Sequence, residues 1–311
     1  RDCRSELVRR RTLRAVCRDS VPRHICGSGG AARGAIVTPT VTAVLPPPRF
    51  PRLTWLPWLF TAAAILAQIA WPLTRGDARQ FTTVVVVVLF AAAAVSHAGV
   101  HRGAWWAAAY TGIAMVFGLA VEVVGVHTGW PFSPYSYTDL LQPQVFTVPV
   151  VVPLAWTMMA YPALIVARTL VGRRSLRIVV GAFALSAWDL FLDPQMVGEG
   201  YWVWESDLPG LPGVETIPMV NYLGWFAVSL LLMSALTALP DAPVPLGVPA
   251  VLYGWTWLGG IIANAFFLGR PAVALWGGAV MAIVAVPFLL RATEPLRTRH
   301  LTAARLTSSD R

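Results

Sequence analysis

Eight apolar runs constrain what this chain can become. They cover residues 53–73, 81–100, 104–126, 147–170, 176–194, 217–239, 247–268 and 272–290. Each is close to the about 20 residues that a bilayer crossing demands. Composition agrees: 56% of the 311 residues are hydrophobic and 13% are charged, against about 25% charged in a soluble domain. A backbone in lipid must satisfy its own hydrogen bonds, so the runs predict helices. The expected fold is all-α, a polytopic integral membrane protein with about eight transmembrane helices in the cell (cytoplasmic) membrane. Pro149, Pro153 and Pro162 interrupt the fourth run, which neighbouring helices can tolerate. The fifth run, at 19 residues, ties with the eighth as the shortest, and Pro194 is expected to end it. No internal repeat is visible, which disfavours an inverted-repeat transporter.

The net charge is +9, and all 24 basic residues are arginine. Eleven arginines fall in the first 52 residues, and most of the others flank apolar runs. That is a topology signal rather than a nucleic-acid surface, so no nucleic-acid partner is expected. The 4–5 link carries Arg168, Arg173, Arg174 and Arg177, whereas the 3–4 and 5–6 loops carry only acids. Both termini are therefore expected in the cytoplasm, although Arg75, Arg79 and Arg270 dissent. Residues 1–51 are basic and rich in Pro, Gly and Ser, and are expected to be a disordered tail. Residues 52–292 form the helical domain, and 293–311 a basic C-terminal tail. Cys3, Cys17 and Cys26 all lie in the first tail, at spacings unsuited to a metal. No methionine precedes Met115. The expectation is that the first few dozen residues are upstream sequence and that Val37, Val41 or Val44 is the true start.

The fifth run ends Trp188-Asp189-Leu190-Phe191-Leu192-Asp193-Pro194. A carboxyl at membrane depth is costly unless paired, hydrated or protonated, and so marks function. Asp189 and Asp193 are four apart, on one helix face. Glu122 lies four residues before the end of the third run, about 6 Å deep at 1.5 Å per residue. With Asn221, Gln68 and Asn264, six polar side chains from five helices reach one level near the outer side. Only His97 lies near the opposite face. Three readings of the Asp pair stay open: a structural cap, a magnesium-diphosphate clamp, or a proton donor. The clamp lacks a second Asp-rich motif and basic residues for the diphosphate. A desolvated carboxyl beside another favours its neutral form and so suits the donor. The outer loops 127–146 and 198–216 are rich in aromatic residues and proline. They read either as an interfacial belt or as a lid over the acids. His127 at the membrane edge reads most simply as a solvated loop residue. No nucleotide, flavin or haem motif occurs, and no metal site is expected.

Four segments together resemble the carotenoid biosynthesis protein family, which includes the carotenoid 1,2-hydratases and bisanhydrobacterioruberin hydratase. The first is Glu122-x-x-Gly125-x-His127-x-Gly129-x-Pro131-Phe132-x-x-Tyr135-x-Tyr137, and the second Val148-Pro149-x-x-x-Pro153-x-x-Trp156. The third is Trp188-Asp189-x-x-x-Asp193-Pro194 with Trp202-x-Trp204, and the last Pro218-x-x-Asn221-x-x-Gly224-Trp225. The resemblance implies a cofactor-independent lyase that hydrates the terminal C1=C2 bond of an acyclic carotenoid. Its partners would be that isoprenoid, water, membrane lipid and other carotenoid enzymes. Physical inference then assigns the roles. Asp189, Asp193 and Glu122 form the acid–base group, with Asp189 or Glu122 as acid. Trp188, Tyr135, Trp202 and Trp225 face the cation, and Asp193 or Asn221 holds the water. Tyr137 and His127 complete the binding set. The alternatives are a carotenoid cyclase or isomerase using the same protonation, or a non-enzymatic membrane binding or carrier protein.

Overall fold

The computed structural model describes residues 49–309, with side chains to Glu294. The three cysteines, the candidate start valines and nearly all of the basic N-terminal tail lie outside the described residues. Eight helices follow: α1 (Leu56–Ala70), α2 (Asp77–Arg102), α3 (Ala104–Thr128), α4 (Val151–Leu170), α5 (Arg174–Gly198), α6 (Met219–Leu236), α7 (Gly247–Ile262) and α8 (Pro271–Ser309). A 3-10 turn, Trp71–Leu73, extends α1, and a π-helical turn, Ala263–Phe267, extends α7. All eight are long and apolar enough to cross a membrane, at the positions of the eight apolar runs.

Helix α4 is the hub, packing against α2, α3, α5, α7 and α8. Its run Met159–Ala163 is essentially inaccessible, because small residues alternate with Tyr161 and let the neighbours close in. Helices α2 and α3 abut through Gly103 alone, whose φ of 97° suits glycine and reverses the chain in one residue. At this end Arg102, Arg168 and Arg177 converge on Asp241 at 3.8, 3.3 and 2.5 Å. His97 belongs here too, with its Nδ1 2.8 Å from the Tyr161 hydroxyl.

Two expectations need correction. Pro194 does not end α5, which continues to Gly198. Proline removes one helical hydrogen bond at a cost of about 3 kcal/mol. Leaving the helix in apolar surroundings would strand several more backbone groups, so continuing is cheaper. Nor is the fold purely helical. The aromatic loops form three short antiparallel pairings: β1 (Tyr135–Tyr137) with β4 (Trp202–Trp204), β2 (Gln144–Val145) with β3 (Val148–Pro149), and β5 (Gly210–Leu211) with β6 (Val214–Pro218). The first joins the two long loops, with Tyr135 opposite Trp204 and Tyr137 opposite Trp202. Arg79 is absorbed locally: it pairs with Glu199 at 2.7 Å and lies 4.2 Å over the Trp71 ring.

Candidate active site

The last turns of α3 and α5 and the first turn of α6 meet beneath the β1–β4 ribbon. Helix α3 contributes Glu122, which is 4% exposed. Its Oε2 accepts hydrogen bonds from the Tyr135 hydroxyl at 2.6 Å and the Tyr137 hydroxyl at 2.8 Å. Its Oε1 accepts one from Trp156 Nε1 at 2.9 Å. The ribbon makes this possible, since residues 135 and 137 of a strand point to the same face. Gly125 makes room for it: a Cβ there would stand 2.8 Å from the Tyr135 hydroxyl oxygen. Burial, reinforced by the Glu122 carboxylate, pushes both phenols well above their ordinary range, so they remain protonated donors.

Helix α5 contributes Trp188, Asp189 and Asp193, all buried. Helix α6 answers with Asn221, whose Nδ2 donates to Asp189 Oδ2 at 2.9 Å and also to Asp193 Oδ2. One amide therefore bridges two carboxyls. Asp189 Oδ1 and Asn221 Oδ1 have no hydrogen-bond partner among the described residues.

These groups border a cavity of about 190 Å³. Glu122, Asp193 and Asn221 supply its polar end, and Phe132, Tyr135, Tyr137, Trp156, Trp188, Trp202, Trp204 and Trp225 surround them. Trp156 and Trp225 stack with ring centroids 4.3 Å apart and planes 1° from parallel. Trp188 meets Trp225 edge-on at 6.2 Å. A small apolar chamber with carboxyls at one end and aromatic rings around them can protonate a hydrocarbon and shelter the cation that results.

Most of the expected site residues come together here. Asp189 stands behind Asn221, off the cavity wall. His127 does not join: it is exposed at the end of α3, with Nδ1 donating to the Val123 carbonyl at 2.9 Å. Five residues past Glu122, at 3.6 residues per turn, its side chain points about 140° round the helix from the acid. Trp156 was outside the expected set, although Pro153-x-x-Trp156 was among the recognised segments. Gln68 lines the cavity and accepts a hydrogen bond from Trp255 Nε1 at 2.8 Å. Trp255 carries no signal of its own in the sequence. Asn264 is buried in the π-helical turn just beyond the wall residues Gly260 and Ala263.

A family model described as carotenoid biosynthesis protein matches residues 82–289. Bisanhydrobacterioruberin hydratase from Haloarcula japonica is 31% identical over 123 residues, which is 37% of this chain and 40% of that relative. The similarity thus spans well under half of the relative's length. No solved structure matches the chain.

Proposed function

Because the chain belongs to the carotenoid biosynthesis protein family, we propose that it is a membrane-embedded hydratase adding water across the terminal C1=C2 bond of an acyclic carotenoid. The observation that carries this reading is the placing of Glu122 and Asp193 on the wall of an otherwise aromatic and apolar cavity. The helices cross the cell membrane with both termini in the cytoplasm, so the arginine cluster around Asp241 marks the cytoplasmic side.

Asp193 is the proton donor, since it borders the cavity and Asp189 does not. The Asp189–Asn221–Asp193 cluster holds one proton, because two ionised carboxyls sharing one amide would bury two like charges. Asp193 delivers that proton to C2 using the alkene electron pair, which leaves a tertiary cation at C1. The faces of Trp156, Trp188 and Trp225 stabilise the cation, each by about 1–2 kcal/mol when desolvated. Glu122 is the fixed counter-charge: a carboxylate has only acceptors to offer, and three donors are turned on it. Water, oriented by Asn221, attacks C1 and returns a proton to the aspartates. The aspartates end as they began, and the net change is one water added per end.

The test is expression in a lycopene-producing host, with pigments separated by chromatography and weighed by mass spectrometry. The expected product is heavier than the substrate by one water for each end that reacts. A product isomeric with the substrate would replace this reading with cyclisation or isomerisation, in which an internal alkene captures the same cation. Unchanged pigment would reject the enzyme.

A further inference from the structure

The residues that line the cavity differ in burial. Around the acids, Glu122, Tyr135, Trp156, Trp188, Asn221 and Trp225 are all buried. A further part of the wall comes from α1, α7 and their extensions, where Trp71 and Thr256 are buried and Gln68, Pro72, Trp255, Gly259, Gly260 and Ala263 are each partly exposed. Two consecutive glycines, Gly259 and Gly260, interrupt the α7 wall between the side chains of Trp255, Thr256 and Ala263, and Phe191 packs against Gly260. Outside it stand the exposed apolar residues Ile69, Ile262 and Phe266. The Trp255–Gln68 hydrogen bond joins the two helices across this seam. The π-helical turn follows at once on α7, with Asn264 Nδ2 donating to the Gly260 carbonyl at 2.9 Å and its Oδ1 unpartnered among the described residues. Single π-turns recur where a helix is adapted to function.

The volume adds a constraint. Pockets that enclose a whole drug-sized ligand run to about 300–1,000 Å³, and this one holds about 190 Å³. A polyene end fits and a whole carotenoid does not, so the rest of the molecule must leave through a wall. On the β1–β4 ribbon over the acid end, Tyr135 and Trp202 are buried and Tyr137 and Trp204 are partly exposed. We infer that the α1–α7 seam is the binding subsite for the polyene chain, which passes sideways between these helices to the apolar exterior with Gln68–Trp255 as its latch. The inference rests on the hydratase reading and adds where the substrate's tail lies. Helix α1 precedes the residues matched by the family model, so the seam pairs a helix outside that match with one inside it.

The test joins the seam covalently. Gln68→Cys and Trp255→Cys are introduced together into the full chain with Cys3, Cys17 and Cys26 changed to serine, and a reducible bifunctional thiol reagent bridges them. The substrates are a full-length acyclic carotenoid and a short acyclic terpenoid with the same dimethyl-alkene end. Relative to the unbridged double variant, the bridged protein is expected to keep its rate on the short substrate and to lose the carotenoid, and reduction returns it to the unbridged level. Carotenoid hydration that survives bridging, or equal loss of both substrates, overturns the inference. Failure of the unmodified chain to hydrate either substrate overturns the hydratase reading instead, and the inference with it. Should the double variant fail to accumulate, Gln68→Leu is expected to change KM for the carotenoid more than KM for the short substrate. Equal changes overturn the inference.

Discussion

The role of Glu122 as a fixed charge can be tested by changing its chemistry and almost nothing of its shape. In Glu122→Gln one oxygen becomes an NH2 group. If the amide oxygen faces Tyr135 and Tyr137, its NH2 meets the Trp156 N–H, donor against donor. If it is turned round, the NH2 meets two phenols that must rotate to accept. The first arrangement loses one of the three hydrogen bonds outright, and the second keeps them only with both phenols reversed into acceptors. Those that remain fall from the about 1.5–3 kcal/mol of a charged partner to about 0.5–1.5 kcal/mol. Over three bonds the folded state loses about 3 kcal/mol. The reaction loses more specifically, because the cation no longer faces a negative charge. Removing one preorganised electrostatic partner costs about 2.7–4 kcal/mol, or 10²–10³ in kcat. KM should barely move, since the substrate is an uncharged hydrocarbon. The assay is the initial rate of hydrate formation in membranes, with pigments resolved by chromatography and protein quantified on the same sample. Wild-type kcat in Glu122→Gln would refute the counter-charge role. A raised KM at unchanged kcat would mean that Glu122 only shapes the pocket.

The two aspartates should separate. Asp193→Asn is expected to lower hydrate formation by about 10²–10⁴, the usual contribution of a general acid, while the less directly placed Asp189→Asn falls less; equal losses would count against delivery by Asp193. Asn221→Leu strips the bridging amide from two buried carboxyls, each costing about 1–3 kcal/mol, so thermal unfolding in detergent should occur at clearly lower temperature. Gly125→Ala places a methyl against the Tyr135 hydroxyl and should depress hydration. Gly112→Ala on the same helix meets nothing within 4 Å and should leave the rate unchanged; indistinguishable rates for the two would dissociate Tyr135 from the reaction.

What could be read along the chain was whatever depends on neighbours in sequence. Hydropathy accumulates locally, so all eight helices and their approximate limits were legible. So was the placing of Asp189 and Asp193 on one face, because helix periodicity alone sets it. The ribbon was not legible. Strands of two or three residues have no periodicity to detect, and Tyr135 and Trp204 find each other across 69 positions. Pro194 misled because proline's local cost is fixed, whereas the cost of breaking a helix depends on what surrounds it. His127 misled because a motif records adjacency and not direction. Only the tertiary structure decided that Glu122 would hold three donors, two from strand β1 and one from helix α4, that Asn221 would bridge two carboxyls, and that Asp193 rather than Asp189 would reach the cavity. Each is a meeting of side chains from separate elements. Such meetings follow from how helices pack and rotate against one another, a property of the assembled bundle that no single stretch contains.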